Sequence, residues 1–167
     1  MLEFALYIHK PDGTIPSLSD GDARNFLSVL KQGYELYGDE RLLYVATRGQ
    51  EGQAPKERSK LFGSSGYAIL RSGWGQKESF ADERFLIFDC GPLGAGNHGH
   101  LDLLNFEMAA YGQSLIVDPG RYTYNEPLEH STETNWRKLF RGTSYHNTVQ
   151  VDGLEQTEYK FHKTRFK

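Results

Sequence analysis

The sequence predicts a mainly β chain: an antiparallel β-sandwich preceded by two or three short α-helices. Three observations carry that expectation. Apolar residues recur at helical spacing within the first 60 or so residues. After residue 61 the pattern changes to short alternating runs, too brief for helices. Glycine-bearing turns separate those runs with no helical stretch between them, which argues against a doubly wound parallel sheet and for antiparallel pairing.

The helical part, residues 1–60, divides at its breakers. Pro11-Asp12-Gly13-Thr14-Ile15-Pro16 reads as a turn. Asp20 or Asp22 is placed to cap a helix that carries Phe26, Val29, Leu30 and Tyr34 and stops at Gly38. Asp39-Glu40 opens a second helix through Leu42, Leu43 and Val45, ending near Gly49. Residues 50–60 are polar and charged and read as a linker. Helices this short need a partner surface for their apolar stripes. Either they pack on the sheet, or they are the tail of a helical domain.

The β part, residues 61–167, offers Tyr67-Ala68-Ile69-Leu70, Phe85-Leu86-Ile87-Phe88, Leu104 to Met108, Leu115-Ile116-Val117 and Thr148 to Val151 as strands. Gly73-Trp74-Gly75, Gly112-Gln113, Pro119-Gly120 and Asp152-Gly153 read as turns. Tyr159 to Lys167 alternates like one more strand and then stops, so a piece of a longer protein is expected.

Composition narrows the function classes. A net charge of −3 gives no general attraction to polyanions, and no nucleic-acid motif is present. Basic residues cluster locally at Trp136-Arg137-Lys138-Leu139-Phe140-Arg141, and a focused positive cleft binds acidic substrates despite the total. The single Cys90 excludes an internal disulfide and, beside Phe85-Leu86-Ile87-Phe88, is expected to be buried. No apolar run is long enough to span a membrane, and the N-terminus lacks the features of a signal peptide.

The chemistry-bearing residues lie at strand edges. His98 and His100 flank Gly99, and at two-residue spacing in extended backbone their side chains share one side. They can share a metal, or one can bind metal while the other faces substrate. Asp118 ends a strand before Pro119-Gly120, and His146 opens another. Imidazole with carboxylate is a usual zinc set. Asp102 is a rival carboxylate, or a partner that orients one imidazole.

Three ordered segments carry a resemblance: Gly96-Asn97-His98-Gly99-His100-Leu101-Asp102 running on to Glu107, Leu115-Ile116-Val117-Asp118-Pro119-Gly120-Arg121-Tyr122-Thr123-Tyr124, and Trp136-Arg137-Lys138-Leu139-Phe140-Arg141 running on to His146-Asn147-Thr148-Val149. Over about residues 61–160 the chain resembles the heparinase II/III-like polysaccharide lyases. The resemblance implies a C-terminal β-sandwich that packs against an N-terminal α/α toroid, with residues 1–60 as the toroid's tail and most of the toroid missing from this chain. It implies a structural zinc on His100, Asp118 and His146, and a catalytic-site role for His98. Arg121, Tyr124 and Arg141 are implied, more weakly, as substrate contacts, and Arg141 equally as a buried loop support. The implied reaction is β-elimination on an acidic, uronate-containing polysaccharide, in the periplasm or outside the cell. No segment here matches the toroid's catalytic tyrosine. A non-catalytic carbohydrate-binding or structural sandwich is the rival expectation.

Overall fold

The structure is a computed structural model that describes residues 2–93 and 98–157. The expected strand at Tyr159 to Lys167 and the Gly94-Ala95-Gly96-Asn97 part of the first motif lie outside the described residues.

Three short helices come first. Helix α1 spans Leu2–Ile8, α2 spans Leu27–Tyr37 and α3 spans Glu40–Ala46. Gly38 closes α2 in the left-handed conformation, its N–H bonded to the Tyr34 carbonyl, as the sequence suggested. Asp39 caps α3 by accepting from the Arg41 N–H. Neither Asp20 nor Asp22 caps α2: Phe26 holds the cap position without a side-chain hydrogen bond. Both acids point elsewhere, and that difference shapes the site described below.

Strands β1 (Lys60–Phe62), β2 (Tyr67–Arg71), β3 (Phe85–Asp89), β4 (Asn105–Ala110) and β5 (Gln113–Ile116) form one antiparallel sheet in chain order. A two-residue turn, Tyr111-Gly112, joins β4 to β5, both residues with positive φ as a twisted hairpin requires. On one face Ile69, Phe85, Ile87 and Ala109 are buried against Leu6, Tyr7, Leu30, Leu42 and Val45 of the helices. The helices therefore pack on the sheet and share its core. The opposite face carries Leu70, Leu86, Phe88, Phe106 and Met108, half-buried or exposed, an apolar surface of the kind that faces a second layer in a sandwich. No helix of the described residues is long and apolar enough to cross a membrane.

The linker region is irregular but pinned. Tyr7 Oη and Trp74 Nε1 both donate to the Glu57 carbonyl, at 3.1 and 3.0 Å. Two expectations need correction, and one helix had no counterpart in the sequence reading. Residues 148–151 form no strand: Asn147 Nδ2 takes the Phe106 and Val117 carbonyls beside β4 and β5, and Gln156 Nε2 takes those of Leu103 and Val149. Trp136–Phe140, seen in sequence only as a basic run, is helix α4, capped by Asn135. Cys90 is exposed, because it is the first residue past β3, where the chain leaves the sheet and its thiol donates to the Gly66 carbonyl.

The loop at residues 17–21 is held to the sheet by a buried carboxylate. Glu107, on the helix-covered face of β4, accepts from the Ser17 N–H at 2.7 Å and pairs with Lys10 at 3.5 Å. The same loop lies on Gly120, which has φ +63°, and a Cβ there would meet the Gly21 and Ser17 carbonyl oxygens at 3.1 and 3.2 Å. Gly120→Ala is expected to cost about 1–2 kcal/mol from the left-handed backbone alone. Chemical denaturation would measure it; an unchanged midpoint would mean that residue 120 is not held in the left-handed region.

Candidate functional site

Four segments converge on one group of side chains: the 17–22 loop, residues 98–102 after β3, residues 118–124 after β5, and α4 with the turn to His146. At its centre is Asp20, whose side chain is 6% exposed. Its Oδ2 lies 2.8 Å from His98 Nδ1 and its Oδ1 lies 3.0 Å from His100 Nε2. Arg137 of α4 grips the same carboxylate with both terminal nitrogens, NH2 reaching Oδ2 at 2.7 Å and NH1 reaching Oδ1. The backbone adds a further tie, Asp20 N–H donating to the His98 carbonyl at 3.2 Å. Burial raises the Asp20 carboxyl, but the hydrogen bonds from Arg137, His100 and His98 outweigh it and hold the group well below the ordinary carboxylate range.

A second carboxylate mirrors the first. Asp118 Oδ2 lies 2.7 Å from His146 Nδ1 and accepts from Asn105 Nδ2 at 2.6 Å, while its Oδ1 accepts from the Gly120 N–H at 2.8 Å. With those donors around it Asp118 acts as an acceptor, so His146 donates from Nδ1.

The remaining atoms of this group point to a cation. His100, Asp102 and His146 are all buried, and one ligand atom from each lies within 4.8 Å of the others. His100 Nδ1, Asp102 Oδ2 and His146 Nε2 are buried without a hydrogen-bond partner among the described residues. Buried polar atoms are rarely left so. Each imidazole gives its N–H to a carboxylate behind it, Asp20 or Asp118, and keeps a lone pair on the other nitrogen. This is how metal-binding histidines are held. The three residues could therefore hold a metal ion. Burial pushes the His100 imidazole down to about 4, which keeps it neutral and ready to ligate. Burial also pushes the Asp102 carboxyl up, against the pull of His146.

The sequence-predicted residues fall into this picture unevenly. His100 and His146 sit together, their rings 5.1 Å apart. In this geometry the third ligand atom comes from Asp102, and Asp118 stands behind His146. His98 lies at the rim, with 75% of its side chain exposed and its ring edge-on to Tyr124 at 6.4 Å. Arg121 donates to Asp22 and to the Asp20 carbonyl and stacks over Tyr124 at 4.4 Å. Arg141 is buried, and its guanidinium donates to the Gly99 carbonyl at 3.1 Å. Asp20 and Arg137 were not singled out as site residues. The acidic Ser19-Asp20-Gly21-Asp22 turn and the basic run at residues 136–141 were both visible, but nothing local says that they meet.

Residues 54–166 match the family described as heparinase II/III-like, C-terminal. The chain belongs to that family. It is 33% identical over 165 residues to a heparin-sulfate lyase of Bacteroides stercoris, covering 95% of this chain and 23% of that protein. A heparin-sulfate lyase of Bacteroides thetaiotaomicron is 29% identical over 156 residues, covering 87% of the chain and 22% of the relative. A solved structure of a heparinase III superposes with a TM-score of 0.80 at 33% identity, over 93% of this chain and 24% of that one. This family member thus spans about a quarter of the length of the relatives it matches, and its antiparallel β architecture agrees with theirs.

Proposed function

We propose that this chain is the zinc-bearing part of a polysaccharide lyase that cleaves a uronate-containing chain by β-elimination, outside the cytoplasm. The observation that supports the reading best is the set of three buried ligand atoms on His100, Asp102 and His146, unpartnered among the described residues, beside a rim histidine in a chain that matches the heparinase II/III-like family and is similar to heparin-sulfate lyases. When bound, zinc supplies a fixed positive centre that ties the 98–102 and 142–146 turns together.

In the elimination a base removes the proton from C5 of the uronate, the C4–O bond breaks, a C4=C5 double bond forms and the C4 oxygen leaves with a proton. Developing charge on the carboxylate must be stabilised, which is usually the largest single contribution. His98 faces the cleft and moves a proton at Nε2, or hydrogen-bonds the uronate through it. Arg121 and Arg137 stack on Tyr124, each paired with a carboxylate of the 17–22 loop, and so hold that ring beside His98 at the cleft rim. Arg141 supports the Gly99 turn that presents His98. The residues that complete acid–base catalysis are assigned to the α/α toroid that the family resemblance implies.

The test is absorbance of the unsaturated uronate product. The 167-residue chain alone is expected to give no turnover, and robust turnover from it would sink the divided-site reading. Joined to a relative's helical domain it is expected to cleave, and His98→Ala should then lower kcat by about 10²–10⁴-fold. Polysaccharide affinity without product from the joined protein would instead make this a carbohydrate-binding module.

A further inference from the structure

Asp20 is placed to do more than pair with Arg137. An ionised carboxylate only accepts hydrogen bonds. Arg137 holds both of its oxygens from one side, and each oxygen meets one imidazole on the other. In a neutral imidazole one nitrogen carries the proton and the other a lone pair. His98 must therefore donate from Nδ1, and His100 from Nε2.

We propose that Asp20 is a positioning residue that sets both tautomers at once, turning the Nε2 lone pair of His98 to the cleft and the Nδ1 lone pair of His100 to the metal. The consequence for His98 rests on the lyase reading above; the tautomers themselves do not.

The surroundings fix the geometry. Ser19, with φ 53°, puts the residue before Asp20 in the left-handed region, a conformation non-glycine residues keep only where neighbours impose it. Glu107 anchors the loop through Ser17, and the Asp20 N–H clasps the His98 carbonyl. Backbone and side chain thus hold residue 98 at two points. The unpartnered Nδ1 of His100 is the atom that this tautomer leaves free. Asp118 does the same for His146 alone. Among the described residues only Asp20 spans the metal side and the cleft side, so the two histidines are coupled through one carboxylate.

The measurement is ring-nitrogen NMR on the 167-residue chain, metal-free and zinc-loaded, at a pH above imidazole titration. His98 is expected as the Nδ1–H form in both samples, and His100 as the Nε2–H form. His98 found as Nε2–H in the wild type overturns the proposal without any variant. In Asp20→Asn one amide oxygen cannot accept from both rings, so His98 is expected to change tautomer, and zinc affinity by competition titration to fall about 10–100-fold. Asp20→Glu keeps the carboxylate and is expected to restore most of the affinity. Unchanged ring spectra in Asp20→Asn also overturn the proposal. Correct tautomers with no turnover in the joined protein would sink the lyase reading alone, and turnover with the wrong His98 tautomer would sink this one alone.

Discussion

The His100→Ala chain is expected to take up no metal and to melt about 8–16 °C below the zinc-loaded wild type. The magnitude follows from linkage. A metal present at a thousand times its dissociation constant stabilises the folded state by about 4 kcal/mol, and a chain of this size shifts by about 2–4 °C per kcal/mol. His100 is fully buried, offers one unpartnered nitrogen, and faces His146 across 5.1 Å. Elemental analysis and thermal melts with and without a chelator measure both effects. A chelator-insensitive wild type would show that the three ligand atoms do not hold a metal.

The metal-free chain should also be acid-sensitive through this residue. His100 falls from 6.5 to about 4 on folding because of burial. Between those values the unfolded chain binds the extra proton, so stability rises with pH across that window and is lost as pH falls through it. Metal uptake weakens in the same direction, since the raised Asp102 carboxyl must lose its proton to ligate. Asp102→Asn is expected to abolish uptake. Asp118→Asn, which loses only the partner behind His146, is expected to weaken it by about 10–100-fold while leaving it stoichiometric at saturating zinc. The opposite ranking would restore Asp118 to the ligand set that the family resemblance implies.

Periodicity placed β2, β3 and β4 and the close of α2 at Gly38, because those elements bury one face each and local chemistry agrees with the packing. It failed at 148–151, where β-branched residues suggested a strand but the Asn147 and Gln156 side chains, not a ladder, take the Val117 and Val149 carbonyls. It failed again at α4, five residues too short for a helical period to show. In the site, His98, His100 and Asp118 stood out because glycine and proline turns mark them, and His146 because it precedes the run read as a strand. Asp20 did not, since an acid before an apolar helical run looks like a cap. Its partners lie 78 to 117 residues away. No local pattern encodes a carboxylate that crosses from the helical segment to the loop after β3 and to α4.

Arg137→Met should be the most destabilising single change at the site, by about 3–5 kcal/mol in the metal-free chain, because it strands a buried carboxylate. Both partners are almost wholly buried, at 5% and 6% side-chain exposure. The pH dependence should change with it. In the wild type the depressed Asp20 carboxyl contributes stability that is present above its unfolded value near 3.8 and is lost as pH falls towards the folded value. Without Arg137 the raising effect of burial is opposed by the two histidine hydrogen bonds and the weaker pull of Arg121 and Arg141, so the acid loss should shrink. It would reverse if the folded value passed the unfolded one. Urea denaturation across that range reads the slope. The double variant Arg137→Met with Asp20→Leu removes both charges and should regain much of the lost stability, as apolar replacements of buried pairs often do. It should not regain zinc affinity, because His100 then has no carboxylate behind it. Recovery of stability without recovery of binding would separate what this ion pair does for the fold from what it does for the site. Recovery of both would mean that His100 and His98 are held by something other than Asp20.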